Sequence, residues 1–197
     1  MPGFPLFRSH LDLAHTYWKQ LVSIGDTVID ATCGNGHDTL MLARLVIDDS
    51  AGDVYGLDIQ STAIDNSRQL LHQELPTHHL QRIHLLQQCH STFPDMITAA
   101  SVKLIVYNLG YLPGGNKSLT TRVETTLQSL NAAVKLLSPG GCLSITLYPG
   151  HPEGAIEESQ VLPLIRSLSS SEWSCCHHQW INRPISAPSL LLVQKLG

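Results

Sequence analysis

Short apolar runs alternate with longer amphipathic stretches along the chain. Runs rich in β-branched and other apolar residues predict seven strands, at 27–31, 53–58, 82–87, 103–108, 142–148, 172–181 and 189–195. Apolar residues recur at helical spacing between them, which predicts helices at 11–22, 40–46, 63–75, 123–137 and 155–168. Ser138-Pro139-Gly140-Gly141 is predicted to end the fourth helix, and Pro163 to lie near a start or a kink of the fifth. This alternation is typical of layered α/β folds.

The last two predicted strands follow each other with no helix between them. Such strands pair as an antiparallel hairpin, whereas strands separated by helices favour parallel pairing. We therefore predict an α/β, Rossmann-like fold, in which a seven-stranded, mostly parallel sheet ends in a C-terminal antiparallel hairpin and carries helices on both faces. No internal repeat or linker interrupts the pattern, so residues 1–197 are predicted to form a single domain, with 1–25 as an N-terminal helix and lead-in.

The turn after the first predicted strand carries candidate chemistry. Asp30 closes the strand, Gly34-Asn35-Gly36 follows, and a helix begins soon afterwards. A strand, a glycine turn and a helix in this order hold nucleotide-like ligands at the carboxyl end of a parallel sheet, and glycine lets the main chain approach the ligand. The dinucleotide fingerprint would place a third glycine at position 39, where this chain has Thr39. The turn therefore suits S-adenosylmethionine better than NAD, although an NAD-dependent oxidoreductase stays as the alternative.

Further candidate ligand residues follow the turn. Asp58 closes the second predicted strand, where an acid can accept both ribose hydroxyls. Cys89-His90 follow the third strand, where this fold usually reads the adenine edge with an acid. Asp38 lies in the first turn of the second predicted helix, where a negative charge interacts favourably with the helix dipole. This holds whether or not Asp38 also contacts the ligand. Asp30 could instead cap a turn, and Asp58 a helix, but their order and spacing together favour a nucleotide site.

The amino-acid composition mainly shows which classes of protein this chain does not resemble. A hydrophobic content of 43% and a charged content of 14% fit a compact globule. The formal net charge of −4 gives no overall basic surface for binding nucleic acid, although the total charge does not exclude a local basic patch. The scattered cysteines favour a reducing compartment. Adjacent side chains in Cys175-Cys176-His177-His178 would alternate across a strand, so no metal site is expected. No signal peptide or membrane-spanning run is visible, which predicts a cytoplasmic location and no membrane partner.

The fourth predicted strand leads into Asn108-Leu109-Gly110-Tyr111. In methyltransferases that act on exocyclic nitrogens, this place holds an Asn/Asp-Pro-Pro-Tyr turn that accepts hydrogen bonds from the amine. Asn108 and Tyr111 keep the first and fourth positions. Methyl transfer gains mostly from alignment of the reacting atoms, so both are candidate catalytic residues. The alternative is a glycine-rich turn in which Asn108 bonds its own backbone.

A second loop, Tyr148-Pro149-Gly150-His151-Pro152-Glu153-Gly154, follows the fifth predicted strand. Its prolines and glycines indicate a stiff connection. Histidine titrates near neutral pH, so His151 is a third candidate catalytic residue, as the acceptor of a proton from a substrate ammonium. It could equally pin the loop by bonding a carbonyl group.

Four blocks of sequence, at 28–39, 55–60, 108–117 and 150–154, resemble one family in order along the chain. They are similar to the YtqB/MnmM family of class I S-adenosylmethionine-dependent methyltransferases, small bacterial proteins with an older label as rRNA methylases. The third and fourth blocks are more distinctive than the glycine turn. Asn116 stands where an aspartate is common in the family, and Pro149 where a histidine is common.

The resemblance implies methylation of the aminomethyl nitrogen on the wobble uridine of certain tRNAs, giving 5-methylaminomethyl-(2-thio)uridine. It implies S-adenosylmethionine as the donor and the tRNA anticodon region as the partner. The cofactor contacts that it implies are Asn35, His37, Asp58, Gln60, Cys89 and His90, and it places the amine near Asn108 and Tyr111. Methylation of rRNA or of a small amine, and a non-catalytic S-adenosylmethionine-binding module, stay open as alternatives, as does a homodimer.

Overall fold

The computed structural model describes residues 9–110 and 120–197. These residues form five α-helices, seven strands and one short 3-10 helix at His79–Arg82. The α-helices are α1 His10–Leu21, α2 His37–Val46, α3 Ser61–Glu74, α4 Val123–Leu136 and α5 Pro152–Arg166. The strands are β1 Thr27–Asp30, β2 Asp53–Asp58, β3 Ile83–Gln87, β4 Val102–Leu109, β5 Leu137–Leu147, β6 Trp173–His178 and β7 Ser189–Lys195.

The seven strands form one sheet in the order β3-β2-β1-β4-β5-β7-β6. Strands β1 to β5 pair in parallel, and β7 pairs antiparallel with both β5 and β6. The predicted α/β fold with a mostly parallel seven-stranded sheet and a C-terminal antiparallel hairpin is therefore confirmed. The strand order reverses between β1 and β4, and in open α/β sheets the ligand crevice lies at the carboxyl ends of the strands beside this point.

Alternate residues of the central strands fill two separate cores, because successive side chains of a strand point to opposite faces. Ile29, Ile105 and Tyr107 pack with residues of α4 and α5 on one face. Val28 and Leu104 pack with residues of α1 and α2 on the other. Both faces are thus covered, which leaves the ends of the strands for a ligand site. No helix within residues 9–110 and 120–197 is long and apolar enough to cross a bilayer.

The boundary between α4 and β5 differs from the prediction. Leu137 was expected in the helix, but it has extended backbone angles and pairs with Val102 of β4. The Ser-Pro-Gly-Gly segment then lies inside β5 as an irregularity, where Gly140 has a φ of 72°. Its glycines and proline permit a bulge that restores the register with β4 further on. The Ser-Pro-Gly-Gly segment does mark an irregular backbone, but the irregularity lies within strand β5 and does not separate it from α4.

The start of α5 also differs from the prediction. The helix begins at Pro152, three residues earlier than expected, because the His151 side chain caps it and proline suits the first helical position. Pro163 lies inside the helix, which ends at Arg166 soon after it.

Candidate active site

The glycine turn after β1 is tied to the tip of β2 through Asp58. One Asp58 carboxylate oxygen, Oδ2, accepts the backbone N–H of Gly34 at 3.0 Å. The other, Oδ1, accepts that of Gln60 at 2.9 Å. Burial raises the pKa of the Asp58 carboxyl, against the lowering effect of hydrogen bonds from the backbone N–H groups of Gln60, Gly34 and Ile59. The carboxylate is therefore held in one orientation by backbone N–H groups, and its remaining acceptor capacity can serve a ligand hydroxyl.

Gly36 begins α2 in a conformation and a space that other residues would not fit. Its φ is 83°, in the left-handed region. A Cβ atom at this position would lie 2.8 Å from the Ser67 Cα. The Ser67 hydroxyl donates to the Gly34 carbonyl at 2.9 Å, so α3 supports the turn directly. The close approach of α3 explains why this glycine is needed.

Asp30 lies beneath the turn and is completely buried. Its carboxylate accepts the Thr39 hydroxyl at 2.6 Å and the Thr32 backbone N–H at 3.3 Å. Burial, and then the nearby Asp38 carboxylate, raise the pKa of Asp30 to about 7. Thr39 stands where the dinucleotide fingerprint has its third glycine, and its hydroxyl supplies a partner that a glycine would lack. We interpret Asp30 as a residue that supports the glycine turn through Thr32 and Thr39. Any effect of Asp30 on a ligand would then be indirect.

The other predicted cofactor residues lie around the same turn. Asn35 Oδ1 accepts the Asn66 amide at 3.0 Å, across to α3. His37 is the exposed first residue of α2, and half-buried Gln60 precedes α3 as its N-cap. These residues lie in, or directly after, the turns that follow β1 and β2, so the predicted strand ends were enough to place them near one another.

Cys89 and His90 follow β3. The Cys89 sulfur accepts the backbone N–H of Ser91 at 3.5 Å. His90 is buried edge-on to Tyr107, with 6.1 Å between the ring centroids. Burial lowers the pKa of His90 to about 4, so its ring is neutral at physiological pH. Within the described residues, the buried Nε2 atom of His90 has no hydrogen-bond partner, which is unusual for a buried polar atom.

Asn108 lies near the carboxyl end of β4 and is held from two sides. Its backbone N–H donates to the Thr32 hydroxyl at 2.7 Å. Its side-chain Nδ2 donates to Asp38 Oδ2 at 2.8 Å, which brings β4 and the start of α2 together. The other Asp38 oxygen pairs with the His15 Nε2 atom of α1 at 2.8 Å. His15 was absent from the predicted site, because nothing in the sequence pairs a helix residue with an acid 23 positions later.

The loop after β5 places Tyr148 and His151 beside this cluster. The Tyr148 hydroxyl bonds the His10 ring at 3.1 Å. Burial, and then Asp38, raise the pKa of Tyr148 to about 12, so the hydroxyl stays neutral. His151 Nδ1 accepts the backbone N–H of Gly154 at 3.1 Å and caps α5. The structure therefore shows His151 fixing the loop, although through a backbone N–H and not through the carbonyl group that we considered. Tyr111, the remaining predicted catalytic residue, lies outside the described residues.

The chain also matches known proteins in sequence. A family model described as "Putative rRNA methylase" matches residues 54–194. The chain is 44% identical over 188 residues to a chloroplastic tRNA (mnm(5)s(2)U34)-methyltransferase of Arabidopsis thaliana, covering 93% of this chain and 68% of that protein.

Solved structures give the same picture. A crystal structure described as a "putative rRNA-methylase" from Clostridium thermocellum superposes with a TM-score of 0.89 and 36% identity, covering 98% of this chain and all of that one. A Streptococcus mutans methyltransferase crystallised with SAH has a TM-score of 0.83 and 28% identity, covering 97% of this chain and all of that one.

The fold and these matches define the chain as a class I methyltransferase. It belongs to the family described as rRNA methylases, which confirms the resemblance found in the sequence. Family membership does not favour the NAD-dependent oxidoreductase that the glycine turn alone left open.

Proposed function

We propose that the chain transfers a methyl group from S-adenosylmethionine to the aminomethyl nitrogen of the modified wobble uridine of tRNA, giving 5-methylaminomethyl-(2-thio)uridine. The observation that carries this proposal is the 44% identity to the plant tRNA (mnm(5)s(2)U34)-methyltransferase, which extends over nearly the whole chain. The side-chain amide of Asn108, which is fixed by its hydrogen bond to Asp38, supports methyl transfer to an amine nitrogen. A cytoplasmic location stays a prediction, since that relative is named chloroplastic.

The residues around the glycine turn fit S-adenosylmethionine. Asp58, held at the tip of β2 by backbone N–H groups, would accept hydrogen bonds from the ribose hydroxyls. His90, whose buried Nε2 atom has no partner within the described residues, would meet the adenine edge beside Cys89. Neutral imidazole can donate at one nitrogen and accept at the other, so it can replace the acid that is usual in this fold. When bound, the cofactor supplies an electrophilic methyl group.

The acceptor must present a lone pair in line with that methyl group. An alkylamine is mostly protonated at neutral pH and must lose a proton first. Asn108 can assist because its side-chain oxygen can accept an N–H of the amine and so orient the nitrogen. Alignment of reacting groups is the main contribution that a protein can make to such a transfer. We assign Asn108 this orienting role.

His151 has a more limited role in this proposal. Its Nδ1 atom accepts a hydrogen bond from the Gly154 N–H, so the neutral ring carries its proton on Nε2. That tautomer has no second lone pair for a substrate proton. We therefore propose His151 as a cap that fixes the loop beside the acceptor, and the proton leaves by another route.

An acceptor panel tests the proposed function. Purified protein and labelled S-adenosylmethionine are incubated with tRNA that carries the aminomethyl uridine, with rRNA, and with small alkylamines. We expect label in tRNA, at the wobble nucleoside after digestion and mass spectrometry. Label in rRNA or in small amines instead would establish one of the alternatives. Binding of S-adenosylhomocysteine without any transfer would indicate a binding module.

A further inference from the structure

Asp38 connects Asn108 to a residue of the N-terminal helix. One carboxylate oxygen accepts Nδ2 of Asn108, and the other accepts His15 Nε2, both at 2.8 Å. We propose that His15 is a positioning residue for methyl transfer. It holds Asp38 so that the Asn108 amide keeps its oxygen turned toward the acceptor amine. This inference rests on the proposed function, because it concerns the geometry of an amine acceptor.

The orientation of the Asn108 amide follows from the chemistry of its partner. An ionised carboxylate can only accept hydrogen bonds, so the NH2 group of Asn108 must face Asp38. The side-chain oxygen then points away from Asp38 and can accept an amine N–H. In the flipped orientation, the NH2 group would meet the N–H groups of the amine, and two donors would face each other. Asp38 therefore selects the orientation that can align a nucleophilic nitrogen.

The Asp38 carboxylate needs support of its own to make this selection. Its side chain is 13% exposed, and that of His15 is 30% exposed, so water can reach the pair. A carboxyl torsion is broad, and one hydrogen bond leaves the group free to turn. With His15 on one oxygen and Asn108 on the other, both bonds are satisfied in one geometry. Without His15, we expect the carboxylate to turn toward water, and Asn108 to sample both orientations.

Helix α1 is anchored well enough to place His15. Trp18, one turn after His15, is buried, and its indole N–H donates to the buried Ser144 hydroxyl of β5 at 2.8 Å. The His15 ring packs on the Trp18 ring with 4.8 Å between centroids. Side chains that position catalytic groups must themselves be fixed by packing and hydrogen bonds. His15 has both kinds of support.

The first test measures kcat, KM for the acceptor and donor affinity in three variants. We expect His15→Ala to lower kcat about 10-fold through lost alignment, with the affinity for S-adenosylhomocysteine unchanged in calorimetry. His15→Gln keeps an N–H donor and should recover much of the lost rate. Thr16→Ala, the matched control, removes an exposed side chain of the same helix that bonds within the helix, and should leave kcat unchanged. Equal losses in His15→Ala and His15→Gln would overturn the proposal.

A double-mutant cycle gives the decisive test, because His15 is inferred to act through Asn108. In the Asn108→Ala background, we expect His15→Ala to change kcat by less than about 2-fold, since no amide is left to orient. If the losses of kcat in the two single variants multiply in the double variant, the proposal is overturned. It is also overturned if His15→Ala lowers the melting temperature and the donor affinity together with kcat.

The outcomes also separate this inference from the proposed function. If the wild-type protein methylates another amine acceptor, the tRNA assignment fails, and the same cycle run on that acceptor still decides the role of His15. If Asn108→Ala leaves the rate unchanged, the positioning proposal falls while methylation of tRNA stands. If the protein transfers no methyl group to any amine, both fall.

Discussion

The proposed cofactor side, around Asp58, and the proposed acceptor side, around Asn108, lie at the same edge of the sheet, but they are built differently. Around Asp58, a carboxylate accepts backbone N–H groups, and the contacts span 2 and 24 residues. Around Asn108, side chains take part in every bond: Asp38 links the Asn108 amide to His15, and the Thr32 hydroxyl accepts the Asn108 backbone N–H. These contacts span 23 to 76 residues. Backbone contacts fix a ligand turn that depends little on distant residues. The acceptor side depends on how well distant elements dock, so we expect substitutions there to affect rate before binding.

The largest expected effect is on the acceptor side. Asn108→Ala should lower the methyl-transfer rate about 10- to 1000-fold, because the amine loses its alignment. The affinity for S-adenosylhomocysteine should stay nearly unchanged. Single-turnover kinetics and calorimetry measure the two quantities.

Asn131→Ala is a suitable control for this change, since Asn131 is an exposed asparagine on α4 that bonds within its own helix. A large loss of donor affinity in Asn108→Ala would mean that the two sides are not separable as we describe.

The complementary change is on the cofactor side. Asp58→Ala should weaken donor binding by about 1.5–3 kcal/mol, because charge-assisted hydrogen bonds are lost; this corresponds to roughly 10- to 150-fold in Kd. The rate at saturating donor should change much less. Titration with S-adenosylhomocysteine checks this.

Asp65→Ala removes an exposed acid of the adjacent helix α3 and serves as the control. An Asp58→Ala variant with wild-type donor affinity would remove Asp58 from the site.

The buried carboxyl beneath the turn should give a pH dependence of stability. The folded-state pKa of Asp30 is about 7, above its ordinary value of 3.8, so the folded protein holds a proton that the unfolded chain releases between these values. The contribution of Asp30 to the free energy of unfolding therefore falls as pH rises from about 4 to about 7, by at most about 1.4 kcal/mol per pH unit.

Urea unfolding across this range measures the effect. Asp30→Asn should flatten the profile, because the titrating group is gone while its shape is kept. Profiles of identical slope in the variant and the wild-type protein would show that Asp30 is ionised in the fold.

The smallest expected effect concerns the loop cap. His151→Ala should lower the free energy of unfolding by about 1 kcal/mol through loss of the N-cap, and His151→Ser should restore most of it. The capping role predicts that His151→Ala lowers the rate by the same factor at every pH.

The pH–rate profile of His151→Ala also tests the alternative role. Recovery of activity at high pH, where the amine is neutral without help, would make His151 the proton acceptor and would overturn our assignment of it as a cap.

The fold, and the contact between Asp58 and the glycine turn, could be predicted from the sequence for a physical reason. A strand, a glycine turn and an acid at the next strand tip are local patterns, and local patterns are visible in one chain. The α4–β5 boundary was placed wrongly because Ser-Pro-Gly-Gly suits a turn and a bulge equally, and pairing with β4 decides between them. The acceptor cluster was only partly predictable. Asn108 stood out by its place after a strand, but His15 and Thr32 join it through contacts that only the folded arrangement creates.

The anchoring of α1 also bears on when the protein becomes active during its synthesis. The Trp18 side chain bonds Ser144, 126 residues later, and α1 packs against β5 and β7. Ribosomes release a chain from its N-terminus at roughly 5–20 residues per second. The helix that carries His15 therefore waits at least several seconds for its contacts with β5 and β7, although its neighbours in β1 and α2 follow it sooner. The residues that support the glycine turn, up to Ser67, are all synthesised well before Ser144, so we expect the acceptor side to be completed after the glycine turn.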